Sequence, residues 1–133
     1  MAENPRGRFS WNELMSADAQ ASATFYGKLF GWKTEPFNTA DKKSPLDYQI
    51  FKIDSTSMGI AGMAPCPAPG GGSQWIPYII VENTEASLQT AQELGAKVLL
   101  EATDIPTVGR IAVIQDPQGA VLGLHQLSDM KAK

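Results

Sequence analysis

Glu13 is the residue whose setting asks most for a chemical explanation. It lies in the run Phe9-Ser10-Trp11-Asn12-Glu13-Leu14-Met15, and burying a carboxylate among apolar neighbours is costly unless it is paired or hydrogen-bonded. Pairing with Arg110 or with strand backbone is the structural explanation. Ligand binding or acid/base work is the functional one. His125 is the single histidine of the chain. Its side chain type changes charge near neutral pH and is the commonest metal ligand; the plainer reading is a cavity-edge or interface residue. Glu13 and His125 together would make a two-donor metal site. Tyr78, in Trp75-Ile76-Pro77-Tyr78-Ile79-Ile80-Val81, can donate to a ligand oxygen or simply pack with its hydroxyl satisfied. Arg110 can clamp a ligand carboxylate, but pairing with an acidic side chain to order its loop is the expected use.

Other candidates carry less. Gly70-Gly71-Gly72 is not set between a strand and a helix, so it is no phosphate cradle. Cys66 has no basic neighbour to lower its pKa. As the single cysteine it can form no internal bridge, which fits a reducing compartment. Lys42-Lys43 reads as a solvated turn.

The elements that must position these side chains come as a repeat. A strand over Phe9–Met15 leads through Asp18 into a helix ending Leu29-Phe30-Gly31. A strand over Trp75–Val81 leads through Asn83 into a helix ending Leu94-Gly95. Asp18 to Asn83 and Leu29 to Leu94 are both 65 residues. Asp18 and Asn83 suit helix N-caps, and Gly31 and Gly95 suit left-handed closures. Spacing at i, i+3, i+4, i+7 and i+8 predicts a buried face of Ser22, Phe25, Tyr26, Leu29 and Phe30 on the first helix. On the second, Leu88, Ala91 and Leu94 are expected inward. Short extended stretches follow at Lys33–Phe37, Asp47–Ile53 and Ser57–Met63, and again at Lys97–Ala102, Gly109–Ile114 and Ala120–Gln126. Turn formers separate them, Asp54-Ser55-Thr56 in one half and Asp116-Pro117-Gln118-Gly119 in the other. Each half therefore reads strand, helix, strand, strand, strand. Unit one spans about 8–63 and unit two about 74–126, with a Pro- and Gly-rich linker at 64–73, all in one domain over residues 1–133.

Composition narrows the partners. Eleven Lys and Arg against fourteen Asp and Glu leave a net charge of −3, which argues against nucleic acid or an anionic membrane. No apolar run reaches the ~18 residues of a bilayer span. The N-terminal residues carry no apolar stretch behind their charges, so no signal peptide is expected. The cytosol is the expected location.

Trp11-Asn12-Glu13-Leu14, Phe25-Tyr26-Gly27-Lys28-Leu29-Phe30-Gly31-Trp32, Gly109-Arg110 and Asp116-Pro117-Gln118-Gly119-Ala120 resemble the vicinal oxygen chelate superfamily of glyoxalases, bleomycin-resistance proteins and extradiol dioxygenases. The resemblance covers about Phe9 to Gln126. It implies an α+β fold in which two βαβββ units form one cupped mixed sheet around a cavity, with the helices outside. It also implies metal ligands on the first and last strands of each unit. Those positions fall on Trp11, Ile76, Gly123 and the segment Gly59-Ile60-Ala61-Gly62, none of which offers a donor. No metal and no cofactor are therefore expected.

Alternation along the strands then lines the cup with Trp11, Glu13, Met15, Ile76, Tyr78, Ile80, Gly123 and His125, apolar walls with a few convergent polar points. The reading is a small-molecule binder that works without the usual metal-ligand set and pairs as a homodimer through apolar surface at Trp32 or Trp75. A metal-dependent lyase, isomerase or dioxygenase using Glu13 and His125 is one alternative, and a metal-free enzyme using either residue is another. A ferredoxin-like interaction domain is a further one. Neither fold nor composition names the ligand.

Overall fold

The computed structural model describes residues 5–39, 42–43, 48–54, 58–65, 72–105 and 108–128. The first run of elements is β1 (Phe9–Ser16), α1 (Ala19–Phe30), β2 (Lys33–Pro36), β3 (Asn38–Thr39), β4 (Lys42–Lys43), β5 (Gln49–Lys52) and β6 (Gly59–Pro65). The second is β7 (Gln74–Ile80), α2 (Thr84–Glu93), β8 (Lys97–Ile105), β9 (Gly109–Gln115) and β10 (Val121–Leu127). The fold is α+β and repeats βαβββ, as the paired signals predict. One correction concerns Lys42-Lys43, which forms β4 and pairs antiparallel with β3 instead of making a bare turn. Cys66, Gly70, Gly71, Ser55, Thr56 and most of the expected linker lie outside the described residues.

Two compact units emerge, and their bounds cut across β1 and β7. Residues 11–76 form the first; the described residues up to Ser10 join those from Pro77 onward in the second. The backbone shows why Ser10 and its neighbours belong there. Gly7 N–H donates to the Ile80 carbonyl at 2.8 Å, and Ile80 N–H donates to the Arg8 carbonyl at 2.8 Å. In the first unit the strands run in the order β2-β5-β6-β1, with β1 parallel to β6 and the other neighbours antiparallel. In the second the order is β8-β9-β10-β7, with β7 parallel to β10 and the rest antiparallel. The units match strand for strand.

Both helices begin as expected. Asp18 accepts from Ala21 N–H at 3.1 Å and Asn83 from Ala86 N–H at 2.9 Å, each satisfying an otherwise orphaned first-turn donor. Gly31, at φ 78°, closes α1 in the left-handed conformation that glycine adopts without penalty.

The inward face of α1 is a correction. Ala19, Ala23 and Tyr26, not Phe25, Leu29 and Phe30, pack on the buried cluster of Leu14, Phe51, Ala61 and Met63. Phe25, Leu29 and Phe30 are 58%, 57% and 56% exposed. The reason is volume: the sheet presents Phe51 and Met63, with Trp32 beside them, so a close-packed interface admits small side chains from the helix above. Tyr26 is the exception, anchored edge-on against Phe51 with a hydroxyl that accepts from Trp75 Nε1 at 3.0 Å. On α2, Leu88 is buried against Ala112, Ile114 and Leu124, and Ala91 joins them. Leu94 is corrected as well, since it caps the helix and stands 72% exposed. Accordingly, Leu29→Ala should change unfolding free energy by no more than about 0.5 kcal/mol. A chemical-denaturation loss near that of a core truncation, about 2–5 kcal/mol, would restore the rejected face.

Candidate functional site

In the first unit Leu14 packs beneath α1, so strand alternation turns Trp11, Glu13 and Met15 to the opposite face. Glu13 is 2% exposed. Beside it stands Tyr48, just before β5, which hydrogen-bonds the carboxylate and whose hydroxyl accepts from Trp11 Nε1 at 2.7 Å. A carboxylate only accepts, so the phenol donates to Glu13 while receiving from the indole. Burial pushes the Tyr48 phenol well above its ordinary range, the Glu13 charge adds to this, and the Trp11 hydrogen bond opposes it. Gly62 makes room for the arrangement. It is the register partner of Glu13, and a Cβ there would run into the Tyr48 hydroxyl.

Arg110 pairs with Glu85 on α2 and, at 3.0 Å, with Asp104 on β8, acidic side chains as expected. The hydrogen bond from Arg110 holds the Glu85 carboxyl below its usual range.

The second unit solves the same packing problem with one residue fewer. Tyr78 stands 65 positions after Glu13 and pairs in register with Gly123, as Glu13 does with Gly62. A Cβ at Gly123 would run into the Tyr78 ring. In each unit, then, a glycine on the last strand lies under a phenol: Tyr48 over Gly62, Tyr78 over Gly123. Tyr78 and Ile80 are buried, as is Ile76 at the edge of the first unit.

His125 pairs in register with Ile80 and is half-buried. Its Nε2 lies 2.9 Å from the Val108 carbonyl and its Nδ1 lies 2.9 Å from Ser10 Oγ. Because a carbonyl cannot donate, these partners assign the proton to Nε2 and leave Nδ1 to accept from the Ser10 hydroxyl.

Of the residues expected to form the site, the structure brings Trp11 to Glu13 through Tyr48, and Tyr78 to Gly123. Tyr48 and Ser10 were not anticipated. Tyr48 carries a readable signal, since its alternation with Phe51 puts it on the Glu13 side of the sheet. Ser10 carries none, because its partner is 115 residues away. Among the described residues no three His, Cys, Asp or Glu side chains gather as a metal-binding group, and no helix is long and apolar enough to cross a membrane.

A repeated βαβββ unit with its first strand parallel to its last defines the vicinal oxygen chelate superfamily, and comparison with known proteins agrees. The chain belongs to the glyoxalase-like domain family, whose model matches residues 13–125. It is 31% identical over 121 residues to "Putative glyoxylase CFP32" of Mycobacterium bovis, covering 91% of this chain and 44% of that protein. It is 26% identical over 137 residues to the anthracycline biosynthesis protein DnrV of Streptomyces peucetius, covering 94% and 49%. The chain thus spans less than half the length of these curated relatives. Its fold is similar to that of methylmalonyl-CoA epimerase from Mycobacterium tuberculosis, with a TM-score of 0.57, 13% identity, and 96% and 93% of the two chains covered.

Proposed function

We propose that this glyoxalase-like domain binds a small organic molecule in the cytosol and does so without the metal-ligand set that the superfamily resemblance implies. The observation that carries the reading is the pair of phenol-covered glycines. At Gly123, and at Gly62 within the segment Gly59–Gly62, a donor is missing and a tyrosine occupies the space from which a ligating side chain would have to grow. Trp11 and Ile76, at the corresponding first-strand positions, supply no donor either. On the first unit Trp11, Glu13, Met15 and Ile76 are the proposed ligand-facing residues; on the second, Tyr78, Ile80, Gly123 and His125. The relation to an anthracycline biosynthesis protein supports an organic ligand with a flat apolar portion, suited to an indole wall.

An off-pattern metal site on Glu13 and His125 is disfavoured by the partners these residues already hold. Both His125 ring nitrogens are engaged, and Glu13 accepts from Tyr48.

The test is a titration of chelator-treated protein with flat aromatic compounds, followed by tryptophan emission. Binding should shift the emission, and Trp11→Phe should remove most of the shift. Trp32 and Trp75 act as controls, since both are held in the aromatic cluster around Tyr26. Equal shifts in wild type and variant would reject Trp11 as a contact. Binding that disappears on chelation and returns with zinc would reject the metal-free reading.

The exposed Phe25, Leu29 and Phe30 favour one further element of the reading, a homodimer that covers this face of α1. Light scattering should report a dimer for the wild type and a shift towards monomer for Leu29→Ala; the small stability change expected of that variant is the monomer's, measured at protein concentrations too low for pairing. A wild-type monomer at tens of micromolar would reject the pairing.

A further inference from the structure

We propose that Ser10 and His125 form a nucleophile–base pair that accepts acyl groups from small activated esters. Three groups are arranged as such a pair requires: a hydroxyl, an imidazole nitrogen within hydrogen-bond reach, and a third group that orients the ring. Ser10 Oγ lies 2.9 Å from His125 Nδ1, and the Val108 carbonyl lies 2.9 Å from Nε2. The carbonyl does more than anchor the ring. By taking the Nε2 proton as a hydrogen bond it selects the tautomer whose Nδ1 lone pair faces the Ser10 hydroxyl, so the base already holds the proton it must remove. Ser10 and His125 are both half-buried, neither sealed in the core nor fully solvated, so a small ester can reach them.

The chemistry balances with water as the only other reactant. Ser10 Oγ bonds to the acyl carbon while His125 Nδ1 takes the hydroxyl proton. The bond from the acyl carbon to the leaving oxygen then breaks, and the leaving alcohol departs with the proton from Nδ1. Water, deprotonated by the same nitrogen, adds to the acyl-serine, and the carboxylic acid leaves as Ser10 regains its proton. The pair rests on contacts within the second unit alone; it shares His125 with the ligand-binding reading, and its test needs no bound ligand.

The test uses the full chain and p-nitrophenyl acetate. The expected result is a nitrophenolate burst of one equivalent per chain, with the acetyl group mapped by peptide mass spectrometry to Ser10. Acylation should slow by about a hundredfold in His125→Gln and vanish from this peptide in Ser10→Ala. A small fluorophosphonate should label the same residue. Wild-type protein in which the acetyl group is found only on lysines, or in which Ser10 stays unmodified by both reagents, overturns the proposal whatever the variants do. A burst of undiminished size in folded Ser10→Ala overturns it equally.

Discussion

Phe51→Ala should lower the unfolding free energy by about 3–5 kcal/mol, the range for truncating a fully enclosed aromatic side chain. Phe51 has no exposed surface and is the point on which the first unit's aromatic residues converge. Its ring centroid is 5.2 Å from that of Trp32, 6.0 Å from Tyr26 and 6.1 Å from Trp75. Removing it takes away both its own buried area and the surface against which Tyr26 sets α1, and a close-packed interior relaxes only partly around such a loss. Urea denaturation followed by circular dichroism measures it. A loss below about 1 kcal/mol would mean that the cluster collapses into the gap and that Phe51 is not the keystone of α1 docking.

Tyr48→Phe should cost about 1–3 kcal/mol near neutral pH and should change how stability depends on pH. The substitution keeps the ring over Gly62 but removes the donor to the buried Glu13 carboxylate and the acceptor for Trp11 Nε1, a loss of two hydrogen bonds, one of them to a charged group. The pH effect follows from linkage. The Tyr48 phenol in the folded protein holds its proton well above the range of a free tyrosine, which titrates near pH 10. Below about pH 10 both states are protonated and the contribution is whole. Above it the unfolded chain loses the proton while the folded protein keeps it, so stability falls as pH rises towards the folded pKa, by at most about 1.4 kcal/mol for each pH unit. The phenylalanine variant has no such proton. Urea midpoints between pH 8 and 11 should therefore converge for the two proteins as pH rises. Parallel curves would show that Tyr48 titrates as an exposed phenol and that the hydrogen bond to Glu13 is absent.

What the residues alone determine is the repeat and its punctuation. Asp18, Asn83 and Gly31 act through backbone groups within a few positions, so their roles as caps are local consequences of side-chain reach and of glycine's access to positive φ. Alternation likewise separates Trp11, Glu13 and Met15 from Leu14, because successive side chains on a strand must point to opposite faces. The inward face of α1 was decided elsewhere. Its apolar residues surround more of the helix than one stripe, and hydrophobicity cannot choose among them. The bulk of Phe51 and Met63 on the sheet, with Trp32 beside them, makes the choice, by admitting Ala19 and Ala23 and excluding Phe25 and Leu29. The partner of Glu13 was decided elsewhere too. Arg110 offers a strong charge but holds Glu85 and Asp104 within the second unit, while Gly62 leaves a space beside Glu13 that the Tyr48 ring fills. Ser10 and His125 show the limit most plainly. Neither has a local reason to interact, and only the pairing of residues 7 and 8 with Ile80 draws Ser10 into the second unit, where Val108 turns the imidazole towards it. Local conformation follows from local covalent and steric constraints; which polar groups meet depends on volumes and registers contributed by strands far apart in the chain.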